Sequence, residues 1–351
     1  MNAIADKLAD WRDKVADLLP QGQGVPWLKT SMWVVAGYLL LATLMGVYWS
    51  FSPTTFDVQE KAASVAVEDG GSVVTGSATT AALMGVVEML LEKPGGYLRN
   101  DVFPPGVWLD NIPNWEYGAL VQVRDLSRAM REVYSRSQSQ STEDPDLALA
   151  EPRFNFRADS WVLPSSESQY KEALALTRDY ARRLSDEQAH NAQFYARADN
   201  LRYWLSTVNT RLGSLSQRLS ASVGQRRINT DLAGDGSATQ STRTPEEFIV
   251  KTPWLEIDDV FYESRGSAWA LIHFLKAADI DFADVLQKKN ARVSLRQIIR
   301  ELERTQDTVW SPMIVNGRGF GLMANHSLVM ASYISRANAA IIDLRDLLSQ
   351  G

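Results

Sequence analysis

Residues 31–51, SMWVVAGYLLLATLMGVYWSF, contain no charge and no proline. As a helix rising 1.5 Å per residue they reach about 31 Å, the depth of a bilayer's hydrocarbon core. Trp27, Trp33, Tyr48 and Trp49 flank the stretch, where the rings of an interfacial aromatic belt sit. Such a chain is expected to cross a membrane once and to carry the rest of its length on one side. Lys7, Arg12, Lys14 and Lys29 precede the stretch, whereas Lys61 is the one early base after it, among Asp57, Glu60, Glu68 and Asp69. Basic residues are retained on the cytoplasmic side, so the N-terminus is predicted inside and the body outside. A cleaved signal peptide is the competing reading. The stretch is long for a signal core, and Trp49-Ser50-Phe51-Ser52-Pro53 is a poor small-residue cleavage site, which favours an uncleaved anchor.

The chain has no cysteine, which excludes structural disulfides and attachment of lipid through a cysteine, and it carries a formal net charge of -6. A large exported body without disulfides fits a bacterial periplasm. Mild acidity leaves no electrostatic footprint for nucleic acid. Residues 3–19 place Ile4, Leu8, Trp11, Val15 and Leu18 at helical spacing. This arm is read either as an amphipathic helix lying on the inner leaflet or as a short helix that merely precedes the span.

The remainder reads as all-α: a single N-terminal transmembrane helix followed by a periplasmic helical bundle with a long heptad-patterned helix. The expected organisation is a cytoplasmic arm (1–30), the span (31–51), a linker (52–74), a helical region (75–223), a flexible connector (224–252) and a C-terminal helical region (253–351). Helices are expected over 75–93, stopped by Pro94-Gly95-Gly96, and over 115–135, capped by Asn114. In 166–223, Leu201, Leu205, Val208, Leu212, Leu215 and Leu219 alternate four- and three-residue spacings, and the same phase runs back to Tyr170. A period of 3.5 predicts supercoiling with a partner helix. The partner is a helix of this chain or a second copy; the apolar faces elsewhere in the chain favour the first. The seam turns polar at Glu187 and Asn191, which predicts a kink, a turn or a polar layer near residues 185–192. Residues 253–278, 294–308 and 326–350 complete the expected helices.

Residues 94–117, PGGYLRNDVFPPGVWLDNIPNWEY, are the segment that most resembles a site. Pro94, Pro104, Pro105 and Pro113 predict a long non-helical stretch holding Tyr97, Phe103, Trp108 and Trp115. Asp110 and Asn111 stand among the rings, and Arg124, Asp125 and Arg128 follow on the next helix. Loops of this length either bind something or fold their aromatics onto the body. The first alternative makes these residues interaction candidates for a partner or a glycan; the second makes them core.

The run GGYLRNDVFPPGVWLDNIPNWEYGALVQVRDLSRAMR, placed after a short arm and one span, resembles the bacterial family catalogued as domain of unknown function 2333. The resemblance implies a membrane-anchored proteobacterial protein of unassigned activity, and it brings no catalytic residues with it.

Catalytic and cofactor chemistry has little to stand on. His190, His273 and His326 have no second ligand at metal spacing, and no nucleophile elbow is present. Gly317, Gly319 and Gly321 follow no strand and precede no Gly-Lys-Ser/Thr, so no nucleotide loop is expected. No cofactor and no metal are expected. One catalytic idea survives: helical lytic transglycosylases use a Glu-Ser pair and a downstream Gly-Leu-Met, present here as Glu263-Ser264 and Gly321-Leu322-Met323, although much farther apart. The expected role is therefore a non-enzymatic interaction or scaffold protein of the cell envelope, working with an envelope partner or a second copy. The alternatives are a peptidoglycan hydrolase using Glu263 and a periplasmic sensor whose output passes through a partner.

Overall fold

The computed structural model describes residues 26–68, 70–138, 141–186, 191–229, 245, 247–311, 313–317 and 323–350. Residues 1–25 of the N-terminal arm, Glu187, His190, Gly319, Gly321, Leu322 and most of the connector lie outside the described residues. Those described form eleven α-helices and one two-stranded antiparallel sheet, an all-α fold as expected. The chain divides into two compact units, one ending at Tyr48 and one beginning at Trp49. The first holds nearly all of α1 (Pro26–Trp49), in which Lys29–Trp49 is long and apolar enough to cross a membrane.

The second unit, the body, contains α2 (Val58–Glu68), α3 (Ser77–Glu92), α4 (Asn111–Ala129), α5 (Pro145–Phe154), α6 (Ser166–Ser185), α7 (Ala198–Ser220), α8 (Ile257–Asp281), α9 (Ala283–Lys288), α10 (Arg292–Arg304) and α11 (His326–Ser349). At its centre is α8. From Gly266 to Leu275 every residue of α8 is buried, which is how a helix apolar on all sides must sit. The helix α4 packs against α8 more closely than ordinary side chains permit. A methyl group on Gly118 would lie 1.9 Å from the Glu263 carbonyl oxygen, and one on Gly266 would lie 1.9 Å from that of Trp115. Glycine at both positions lets the two backbones touch. Gln122 then donates to the Ser267 hydroxyl across the same contact, at 2.7 Å, with both residues buried.

Around this pair, α3 packs on α8 and α6, and α10 packs on α8 and α11. The seam residues Leu201, Leu205, Val208, Leu212, Leu215 and Leu219 are all buried, and α7 packs chiefly against α11 of the same chain. The stripe Ile334, Ala337, Ile341, Leu344 and Leu348 of α11 is buried with them.

Several boundaries differ from expectation. The segment 166–223 is not one helix: α6 ends at Ser185 and α7 starts at Ala198, so the chain breaks where the seam turns polar. Residues 52–74 are not simply a linker, since α2 buries Val58, Ala62, Val65 and Ala66. The connector 224–252 contains the strand pair β1 (Gln225–Ile228) and β2 (Glu247–Val250), mostly exposed. α4 begins at Asn111, capped by Asp110 instead of Asn114, because Pro113 falls in the first turn, where a missing N–H costs nothing.

His273 is a packed core histidine, as expected. Its Nδ1–H donates to the Trp269 carbonyl at 2.8 Å, and its Nε2 accepts the Phe56 backbone N–H at 3.1 Å. The Phe56 ring stacks on the imidazole at 4.0 Å. Only the neutral ring can do both, and burial lowers the His273 pKa to about 4 from 6.5. The unfolded chain therefore binds this proton first, so the stabilisation is complete above pH 6.5 and is lost as pH falls through 4.

Two outcomes follow from this packing. Gly266→Ala is expected to lower stability by at least about 3 kcal/mol in denaturant titration, because the backbones must part. His273→Gln keeps an acceptor for Phe56 but removes the titration. Relative to this variant, the parent is expected to lose about 3 kcal/mol between neutral pH and pH 4; parallel stability curves would contradict it.

Candidate interaction surface

The loop between α3 and α4 is shaped from beneath by a buried ion pair. Lys93, at the end of α3, places Nζ 2.5 Å from Glu116 Oε1, and both side chains are fully buried. Burial pushes the Glu116 carboxyl up, while the ammonium and the backbone N–H groups of Leu98 and Arg99 pull it down. Lys93 also donates to the Gly96 carbonyl. Gly95 and Gly96 adopt positive φ (87° and 70°), which lets the chain fold back over this pair. A charged pair removed from water is stable only with its remaining hydrogen-bonding capacity satisfied, and the loop backbone satisfies it.

The following residues tie this loop to a second one, between α5 and α6. Tyr97 is buried and donates to the Ala158 carbonyl at 2.9 Å. Asn100 donates to the Ser160 carbonyl at 2.7 Å and to Glu167 at 2.8 Å. Ser166 holds the second loop by donating to the Arg157 carbonyl and accepting from the Ser160 N–H. In the first loop, the Val107 N–H donates to the Phe103 carbonyl at 3.1 Å and closes a tight turn.

The two braced loops present large apolar side chains to solvent. Phe103 and Trp161 meet edge to face at 5.8 Å. Both are more than half exposed, Trp108 is half exposed and Leu163 is 94 % exposed. Exposed aromatics on a braced support are candidates for a contact surface, since binding there would need little ordering of the backbone.

The residues singled out from the sequence separate into two groups. Phe103 and Trp108 share the exposed loop. Tyr97 and Trp115 do not: Trp115 is fully buried, 5.0 Å from the ring of Trp269. Asp110 accepts the Asn111 N–H and caps α4. Arg124 donates to the Phe154 and Phe156 carbonyls, which end α5. Asp125 is buried against Arg211 at 2.7 Å, and Arg128 faces Glu151 at 3.6 Å. These polar residues thus hold the body together. Trp161, Val162 and Leu163 were missed, although three consecutive large apolar residues between Asp159-Ser160 and Pro164-Ser165 are a visible signal.

Beside the surface, Asn114 donates to Asp259 at 2.6 Å. Burial, and then the charges of Asp258, Asp110 and Glu256, push the Asp259 pKa up to about 6. Glu263 points elsewhere: both of its oxygens accept from Arg218, leaving neither for a glycosidic oxygen. Of the Gly-Leu-Met run, Met323 alone is described, and it is exposed. Among the described residues no cluster of His, Asp or Glu is arranged to hold a metal. A cavity of about 340 Å³ opens beside Phe261, Trp310 and Tyr333. Its Arg265 donates to the carbonyls of Thr305, Gln306 and Asp307, so the guanidinium serves the end of α10.

A bacterial family described as an uncharacterized protein conserved in bacteria (DUF2333) matches residues 21–351. The chain belongs to this family. No curated protein and no solved structure matches it. The match covers α1, both braced loops and every helix of the body, so the DUF2333 unit is the whole fold described above.

The two tryptophans first grouped together are expected to behave differently. Trp115→Ala should cost about 3–5 kcal/mol in denaturant titration, whereas Trp108→Ala should stay within about 0.5 kcal/mol of the parent. Equal losses at both positions would mean that Trp108 is part of the core.

Proposed function

We propose that this DUF2333 protein is a non-enzymatic interaction protein of the bacterial cell envelope. In this proposal α1 anchors it in the inner membrane, its N-terminus is cytoplasmic and its body is periplasmic. The uncharged apolar run 31–51 and the bases that precede it support the anchor. The exposed aromatic surface on two braced loops carries the proposal as a whole. Phe103, Trp108, Trp161 and Leu163 are held open to solvent by a buried ion pair and three side-chain-to-backbone tethers, a costly arrangement unless something docks there. The glycosidase alternative needs a free carboxyl in a substrate cleft, and the engagement of Glu263 by Arg218 gives it no support.

A photo-crosslinking amino acid placed at Phe103, Trp108 or Leu163 in living cells tests this. Adducts with protein or lipid are expected at these positions and not at Val293, an exposed residue on α10. Absence of adducts at all three, with full-length protein present, contradicts the docking role. Peptidoglycan cleavage by the purified protein that disappears in Glu263→Gln would establish the enzymatic alternative instead.

A further inference from the structure

The braced loops lie at one end of the body, and its apolar character extends past them. The ends of α3, α7 and α10 and the starts of α4, α6, α8 and α11 meet there. The contacts that fix this arrangement are Asn114 with Asp259, Asn100 with Glu167, Arg218 with Glu263, Phe261 with His326, and Arg265 with the carbonyls after α10. Trp254 and Leu255, on the turn that opens α8, are 75 % and 76 % exposed. Trp310, just after α10, is 91 % exposed. Among the described residues outside α1, every exposed tryptophan (Trp108, Trp161, Trp254 and Trp310) is at this end. At the other end the exposed apolar residues are chiefly aliphatic, such as Val67 and Val293, with one tyrosine, Tyr203, whose hydroxyl donates to Glu132.

The chain also enters the body here. Trp49 is the first residue of the body and the last of the apolar helix, and its ring lies over Gly95, where a methyl group would come within 2.7 Å of it. From Trp49 the chain runs away from this end. Phe56 reaches Gly85 and His273 halfway along α3 and α8, and α2 continues beside α3. The tryptophan-bearing end is therefore the end nearest in the chain to the proposed span.

We infer that this end of the body seats on the lipid interface of the bilayer that α1 crosses, with Phe103, Trp108, Trp161, Leu163, Trp254 and Leu255 entering the headgroup region. The inference rests on α1 being a membrane span. Tryptophan is the side chain most enriched at that depth, and aliphatic neighbours add apolar burial. The charges nearby decide the kind of lipid contact. Asp101, Asp110, Glu256, Asp258 and Asp259 are at this end together with Arg99, Arg157 and Lys251, so the charge is mixed, no basic cluster draws anionic headgroups and the contact is apolar in origin. Seating on lipid also explains an exposed aromatic surface on a chain that must stay soluble in its own compartment, since the membrane covers it permanently.

The absence of native cysteine makes the test direct. Phe103→Cys, Leu163→Cys, Leu255→Cys and, as control, Val293→Cys are each spin-labelled in the full chain reconstituted into phosphatidylcholine vesicles. Accessibility of the label to oxygen and to a water-soluble nickel complex is then measured. The three end positions are expected to show an oxygen-to-nickel ratio several-fold above that of Val293, unchanged by added salt or by phosphatidylglycerol. Ratios equal to that of Val293 overturn the inference. Labels shielded from both reagents indicate contact between copies of the chain; that outcome also overturns it but leaves the interaction role standing. Protein that washes off the vesicles at alkaline pH sinks the anchor and the lipid contact together.

Discussion

The contact of α4 with α8 through Gly118 and Gly266 sets the geometry on which everything else depends. Two backbones that touch leave α4 no freedom to slide or roll on α8. Glu116 stands two residues from Gly118, so its carboxylate is delivered to a fixed point, where Lys93 and the N–H groups of Leu98 and Arg99 converge. The loop that carries Phe103 and Trp108 inherits its position from that point. The second loop takes its position from the first through Tyr97 and Asn100. A pair of glycines deep in the body thus determines where tryptophans stand on its surface.

The polar groups of the body obey a common logic. Arg124 and Arg265 do the same task at different places, covering the free carbonyls that end α5 and α10. Helix ends buried in a bundle need such partners, and a guanidinium with several donors supplies them from one side chain. Charged residues beside aromatic loops look like binding groups in the sequence. Most are committed to this internal duty, which leaves the exposed surface predominantly apolar.

How far the sequence foretold this structure depended on the length scale of each signal. The all-α class and the apolar helix rest on signals many residues long, and they stand in the structure; of the predicted seam, the structure shows the burial of Leu201 to Leu219 on one helix. The break between α6 and α7 was marked by Glu187 and Asn191. Short elements were illegible for definite reasons. The apolar face of α2 is mostly alanine and valine, and the strands β1 and β2 are four residues each and mostly exposed. Pro113 concealed the start of α4 because a proline signals a break unless the helix begins just before it. For the loops, composition announced aromatics but not their direction: nothing in the spacing of Trp108 and Trp115 tells that one is half exposed and the other fully buried. That is decided by Glu116 and Gly118, through contacts with residues distant in the chain.

The Phe56 staple has a mechanical consequence. Six residues separate Trp49 from Phe56, and Phe56 is clamped to His273 by a stacked ring and a backbone hydrogen bond. Tension applied along the chain from α1 would take up this short slack and then load α8 at its middle, inside the most tightly packed region of the body. A pull on the chain ahead of Phe56 would therefore strain the core before it peeled the body's edge.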